Sequence, residues 1–222
     1  MSKLTRGQKG ERKVIDVLNK VKEYHHLLND ITFKNDVSEM SHQMDHILIH
    51  PHGVFLIETK NYYGEIIYEN SRWFKIVNNQ KIKISDPLLQ NRSHQALLYR
   101  KLNRKYKVIP VVVFVKNNAP YTPDDNAIDL NDLLLFIDSF PYDEKYSNET
   151  IDKIKSIIES HQVDISNKEH VENIKYLKIV KKEAEQEKAY AIEKGICPRC
   201  LNKMIIKGNS FRCPKCGFKF SI

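Results

Sequence analysis

Two apolar-rich runs, residues 43–49 and 53–59, are joined by His50-Pro51-His52-Gly53. No other feature restricts the fold as much. A proline and a glycine in so short a connection predict a reversal between two strands. On a strand, successive side chains alternate faces. Glu58 and Lys60 therefore share a face with Val54 and Leu56, and Thr59 points to the other. Asp45 and Glu58 are nearly equidistant from the turn, so the hairpin brings them together.

This places two carboxylates and an amine at the end of a mostly apolar hairpin. Burying such charges is costly unless they are paired or hold a metal. Converging carboxylates repel, and a divalent cation relieves the repulsion. Mg²⁺ or Mn²⁺ suits such oxygen donors, and bound metal can polarise a phosphodiester and acidify water. The competing reading of the same spacing is a Glu–Lys or Asp–Lys ion pair at a strand end. Glu11 precedes Val14 and Ile15 by helical spacing and falls on the buried side of its helix. Gln90, His94 and Leu97 share a face of a later helix. For Glu11 the plain alternative is an interaction with the helix dipole, and for His94 it is a satisfied core histidine.

The remaining pattern predicts a helix over 8–28, with Val14, Ile15, Leu18 and Val21 at helical spacing. Short strands follow at 65–68, 72–77 and 81–84, with Asn78-Asn79 as a turn. Asp86-Pro87 starts a helix to about residue 104. Val108–Val115 reads as a strand buried on both faces, 131–139 as a short helix, and Thr150 as the cap of a helix to 161. A long charged helix over 168–194 carries Val171, Ile174, Leu177, Val180 and Ala184 in one stripe. It reads as a solvated spacer, with a dimerising coil, and hence a homo-oligomer, as the alternative.

The order Gly10-Glu11, Asp45, Glu58-Thr59-Lys60, then Gln90-Asn91 with His94, resembles the NERD (nuclease-related) domain over roughly residues 5–118. That domain is similar to the PD-(D/E)xK nucleases. The resemblance implies an α/β, restriction-endonuclease-like mixed β-sheet flanked by helices, followed by a helical segment and a small zinc ribbon. It further implies Asp45 and Glu58 as Mg²⁺ or Mn²⁺ ligands, Glu11 as an assisting ligand, Lys60 as the catalytic lysine, and Gln90 against the scissile phosphate or the nucleophile. Met44 stands where the superfamily's name has Pro.

All four cysteines lie after residue 196. Cys197-Pro198-Arg199-Cys200 and Cys213-Pro214-Lys215-Cys216-Gly217 form two CPxC knuckles, the spacing of a closed, structural Zn²⁺ site. The segment 196–222 has Arg199, Lys203, Lys207, Arg212, Lys215 and Lys219 and no acidic residue, out of a net charge of +8. Such a tail suits a polyanion, although basic tails also serve solubility. It resembles the four-cysteine zinc fingers of bacterial topoisomerases. In that resemblance Phe211, Phe218 and Phe220 would stack on unpaired bases or fill the ribbon's small core.

The expected domains are 5–140, a helical extension at 150–195, and the ribbon at 196–222. The longest apolar run is too short to span a bilayer, and the polar N-terminus does not read as a signal segment. The expectation is therefore a cytoplasmic protein with no membrane partner. Its expected function is metal-dependent cleavage of DNA, single-stranded or branched forms included, anchored by the ribbon. The alternatives are a catalytically idle DNA-binding adaptor and an RNA- or protein-binding ribbon module.

Overall fold

The computed structural model describes residues 4–35, 41–122 and 126–164. Beyond them it describes 172, 175–176, 185–186, 189–190, 192–198, 202–206 and 210–221. The chain divides into two compact units, Met1–Asp164 and Ile165–Ile222.

The first unit is a mixed α/β structure. Helix α1 (Arg6–Leu18) begins at a capping box, in which Thr5 and Gln8 bond each other's backbone N–H. Strands β1 (His26–Lys34), β2 (Ser41–His50) and β3 (Gly53–Lys60) form an antiparallel run. A three-stranded meander follows: β4 (Glu65–Glu69), β5 (Arg72–Val77) and β6 (Gln80–Ile84). Asn78 and Asn79 both have positive φ, as a two-residue hairpin turn requires. Helix α2 (Pro87–Lys101) is capped by Asp86 and leads to β7 (Val108–Phe114), which pairs parallel with β3. Strand β8 (Ala127–Asp129) extends the sheet in parallel. After a 3-10 turn come α3 (Leu133–Asp138) and α4 (Asn148–His161), the latter capped by Ser147.

The main sheet thus has the order β1-β2-β3-β7-β8 and mixed polarity. One apolar cluster covers one face, with Leu97 and Leu98 of α2 and Ile151, Ile154 and Ile158 of α4. The other face holds Val14 and Leu18 of α1 and Leu133 and Ile137 of α3. The meander packs through Trp73, stacked on Phe114 at 6.0 Å between centroids. Pro110, central in β7, lies beside Leu56 of β3. Proline has no N–H for a ladder, and here Asn91 of α2 donates to the carbonyls of Leu56 (3.1 Å) and Val111 (2.9 Å). That side chain fastens α2 across β3 and β7.

Two local expectations are corrected. The first helix stops at Leu18, not 28, and the residues from His26 begin β1. His26, Leu27 and Leu28 find strand partners in Ile49, Leu48 and Ile47 of β2, and tertiary pairing overrides the helical reading there. The cap of α4 is Ser147 rather than Thr150, because its side chain accepts from Thr150 N–H. In the stretch 168–194, the stripe Val171, Ile174, Leu177, Val180 and Ala184 lies outside the described residues.

In the second unit, β9 (Ile205–Ile206), β10 (Ser210–Arg212) and β11 (Lys219–Ser221) form an antiparallel sheet of order β11-β10-β9. Among the described residues, no helix is long and apolar enough to cross a membrane.

Candidate active site

The β2–β3 register runs from His50–Gly53 to His46–Ile57. Its next step sets Asp45 opposite Glu58, and opposed residues of an antiparallel pair share a face. The backbone pairing ends there. Asp45 Oδ2 accepts the N–H of Thr59 at 2.7 Å. On the other side of Asp45, the pairs Asn29–His46 and Ile31–Met44 bracket Asp30, which falls opposite it on β1. Asp30 has φ 56°, a left-handed conformation that Asp tolerates. Leu28 and Ile31 consequently pack on the same apolar cluster although they are three residues apart.

Glu58 is 4 % exposed. Its Oε1 accepts from Lys60 Nζ at 2.6 Å and from Gln90 Nε2 at 2.9 Å. Gln90 Oε1 in turn accepts from Lys60 Nζ at 3.2 Å. His94 Nδ1 lies 3.6 Å from Glu58 Oε2, beyond hydrogen-bond length. Helix α2 therefore presents Gln90 and His94 to the end of β3 on the face that carries Glu58 and Lys60.

The electrostatics separate the two carboxylates. Burial, and next the charge of Glu58, push the Asp45 carboxyl up to about 8. Burial also works against ionised Glu58, but His94 and Lys60 outweigh it and hold its pKa below the ordinary value. Burial opposes the Lys60 ammonium too, yet Glu58 keeps its pKa raised. Glu11, half-buried on α1, is raised by burial and then by the charges of Asp30 and Glu58. Without a cation the pair shares a proton: Glu58 is ionised and Asp45 is not. The hard oxygen donors and the excess of carboxylates over the single ammonium fit a divalent cation. Glu11 does not join Asp45 and Glu58 in a trio of ligand atoms all within 4.8 Å.

Behind the carboxylates, His46 Nδ1 meets Asn29 Oδ1 at 2.7 Å and His46 Nε2 meets Thr59 Oγ1 at 3.2 Å. The amide oxygen can only accept, so Nδ1 carries the proton. Burial pushes this imidazole down to about 4. Sequence reasoning named neither this group nor Asp30. With residues 26–28 read as the end of a helix and no strand assigned to 29–34, their partners were out of sight. The alternation Ile31, Thr32, Phe33 was the available signal.

In the second unit, the Sγ atoms of Cys197, Cys213 and Cys216 all lie within 4.8 Å of one another. Cys197 and Cys216 are 3.5 Å apart, near the roughly 3.8 Å expected of two thiolates on a tetrahedral Zn²⁺. The trio suits a soft, thiolate-loving ion. Cys200, Arg199 and Lys207 lie outside the described residues. Gly217 has φ 73° and donates to the Cys213 carbonyl, closing the second knuckle. Phe211 and Phe218 pack half-buried against the cysteines, and Phe220 is 41 % exposed. Lys203, Arg212, Lys215 and Lys219 are exposed. Arg212 and Lys219 are directly opposed across β10 and β11.

A mixed sheet covered by helices, with opposed carboxylates and a lysine where β3 ends, has the make-up of a nuclease-like fold. Residues 6–115 match the nuclease-related domain family, NERD, and this segment is a nuclease-related domain. An uncharacterised protein of Bacillus anthracis is 28% identical over 183 residues, covering 78% of this chain and 84% of that protein. No solved structure matches the chain significantly.

Proposed function

We propose that the chain is a divalent-metal-dependent nuclease that hydrolyses phosphodiester bonds in DNA. The observation carrying this reading is the opposition of Asp45 and Glu58 where the pairing of β2 with β3 ends, with Lys60 Nζ 2.6 Å from Glu58. A bound Mg²⁺ or Mn²⁺ would supply Lewis-acid polarisation of the phosphate and a more acidic water. Asp45 and Glu58 would hold it, with Glu11 assisting from α1. Lys60, firmly cationic, would set its charge where negative charge develops on the phosphate oxygens. Gln90 bonds both Glu58 and Lys60 and so fixes their orientation.

The ribbon would hold a structural Zn²⁺ through Cys197, Cys213 and Cys216, with Cys200 as the fourth ligand, in the manner of a topoisomerase-type finger. Its exposed cations would anchor DNA. The opposed Arg212 and Lys219 support this, because like charges facing each other across strands are unfavourable until an anion joins them.

One observation favours a second reading. Lys60 and Gln90 already satisfy Glu58 Oε1, which is the arrangement of a structural ion pair. A DNA-binding adaptor with an idle site would look the same. Incubation of the full chain with supercoiled plasmid and single-stranded DNA in Mg²⁺ or Mn²⁺ separates the two. Metal-dependent strand scission is expected, and binding without scission on any DNA form favours the adaptor.

A further inference from the structure

Three residues past Lys60, the chain presents Tyr63 with 52 % of its surface exposed. The Arg6 guanidinium lies 4.4 Å from the centre of its ring and the Lys116 ammonium 4.8 Å. Both are within cation–π range, and they come from different parts of the chain, the start of α1 and the segment after β7. Neither forms an ion pair among the described residues. Arg6 also stands in the first turn of a helix that has no acidic residue there, where the dipole disfavours a cation. Tyr63 and Arg6, with Lys75 and Gly64, line an open cleft of about 520 Å³.

The backbone carrying this tyrosine is pinned on both sides. Asn118 Nδ2 donates to the Gly64 carbonyl at 2.6 Å and to the Tyr62 carbonyl at 3.4 Å. Gly64 has φ 84°, and a Cβ there would come 1.9 Å from the Ile76 carbonyl oxygen, so only glycine lets the loop lie on β5. On the other side, Asn61 Nδ2 donates to the Arg6 carbonyl at 2.8 Å and ties α1 to the end of β3. The loop is rigid while the ring it displays is half in solvent. An aromatic face held in place among converging cations is what an unpaired nucleic-acid strand requires: a surface for a base and charges for its phosphates.

We propose that Tyr63 is a stacking platform for an unpaired base of the DNA strand: the base takes the place over the ring that Arg6 and Lys116 hold in the free protein, and these two cations, with Lys75, turn to the strand's phosphates. The proposal rests on the nucleic-acid reading above and narrows it to single-stranded or locally opened DNA beside the carboxylates. The platform sits on the same β3 extension as Lys60, so the stacked base would fix the position of the neighbouring phosphate.

The test uses the zinc-loaded full chain with no chelator and no added Mg²⁺ or Mn²⁺, where binding is read without cleavage. The probes are an oligothymidylate, a blunt duplex of equal length, and a single strand carrying 2-aminopurine. Tyr63→Ala is expected to weaken oligothymidylate binding about tenfold, change duplex binding less than about twofold, and relieve 2-aminopurine quenching. Tyr63→Phe, which keeps the ring, should behave as wild type. Arg6→Gln and Lys116→Gln should each lower the salt dependence of binding by about one counterion. Equal single-strand affinity and equal quenching in wild type and Tyr63→Ala would overturn the proposal. Equal losses on duplex and single strand would also overturn it, showing a general contact instead of a base platform. If wild type binds with Tyr63-dependent quenching but cleaves nothing in Mn²⁺, the nuclease reading fails and the platform stands.

Discussion

Asp45 grips the neighbouring strand at Thr59, the residue between Glu58 and Lys60, through a 2.7 Å hydrogen bond to its backbone N–H. That N–H points toward β2, and where a regular ladder would offer a backbone carbonyl it meets a carboxylate. The last backbone pair is His46–Ile57. The sheet therefore opens where the acidic groups gather, and Glu58 and Lys60 are placed by the same bond that ends the pairing.

Lys60→Ala is expected to lower Mg²⁺-dependent cleavage at least about a hundredfold while DNA affinity stays within about twofold, because its charge acts where charge develops. Glu58→Ala should also stop cleavage, but through weakened metal binding, so excess Mn²⁺ should restore part of it and should not rescue Lys60→Ala. Cleavage time courses across a metal titration, with binding measured in parallel, distinguish the two. An unchanged rate in Lys60→Ala would make this lysine a structural partner only.

Metal affinity should depend on pH through Asp45. With its pKa near 8, a cation must displace a proton at any lower pH. Calorimetric affinity for Mn²⁺ is expected to rise roughly tenfold per pH unit toward pH 8 and then level off. The sign for metal-free stability is the reverse of the usual aspartate. A pKa raised from 3.8 means that this contribution is present below about pH 4 and lost as pH rises to about 8. Asp45→Asn should therefore raise the melting temperature in EDTA at alkaline pH by a few degrees, on the order of 1 kcal/mol, while abolishing metal binding.

His46 gives the opposite window. Its pKa is lowered from 6.5 to about 4, so its contribution is present above pH 6.5 and is lost as pH falls toward 4. Urea unfolding of wild type should lose up to about 3 kcal/mol between those limits. His46→Gln, less stable at neutral pH, should lose distinctly less over the same range. Parallel pH profiles would show that acid acts elsewhere.

Gly10→Ala should destabilise, although alanine normally improves a helix interior by about 1 kcal/mol. The added methyl would stand 2.8 Å from Asn61 Cβ, which cannot swing away. A cost of about 1–3 kcal/mol follows, read as a lower melting temperature. Cleavage should fall with it, because Asn61 adjoins Lys60. A neutral or stabilising result would mean that α1 is free to move off β3.

Removal of residues 196–222 should weaken DNA binding and flatten its salt dependence while residues 1–140 stay folded, since the segment has six basic and no acidic residues. Metal analysis should find one zinc per full chain, and Cys213→Ser should release it. Equal binding by the truncated chain at every salt concentration would point to a protein partner for the ribbon.

The hairpin was fully legible in the sequence. A Pro–Gly connection and period-two alternation fix which residues share a face, and equal distances from the turn fix which residues meet. The placement of Asp45, Glu58 and Lys60 followed from those two rules alone, and the helix at Asp86-Pro87 followed from its cap and first-turn proline, which are local signals. Other features depended on pairing between segments distant in the chain. Leu27 and Leu28 fit a helix as well as a strand, and only the row of partners on β2 made β1 of them. That pairing is what sets Asp30 opposite Asp45 and Asn29 against His46. The hydrogen bond from Thr59 to Asp45 replaces a ladder bond and leaves no mark in the sequence. Periodicity reports which face a side chain takes, whereas the partners that set its charge state come from the packing of α1, β1 and α2 around the open end of β3.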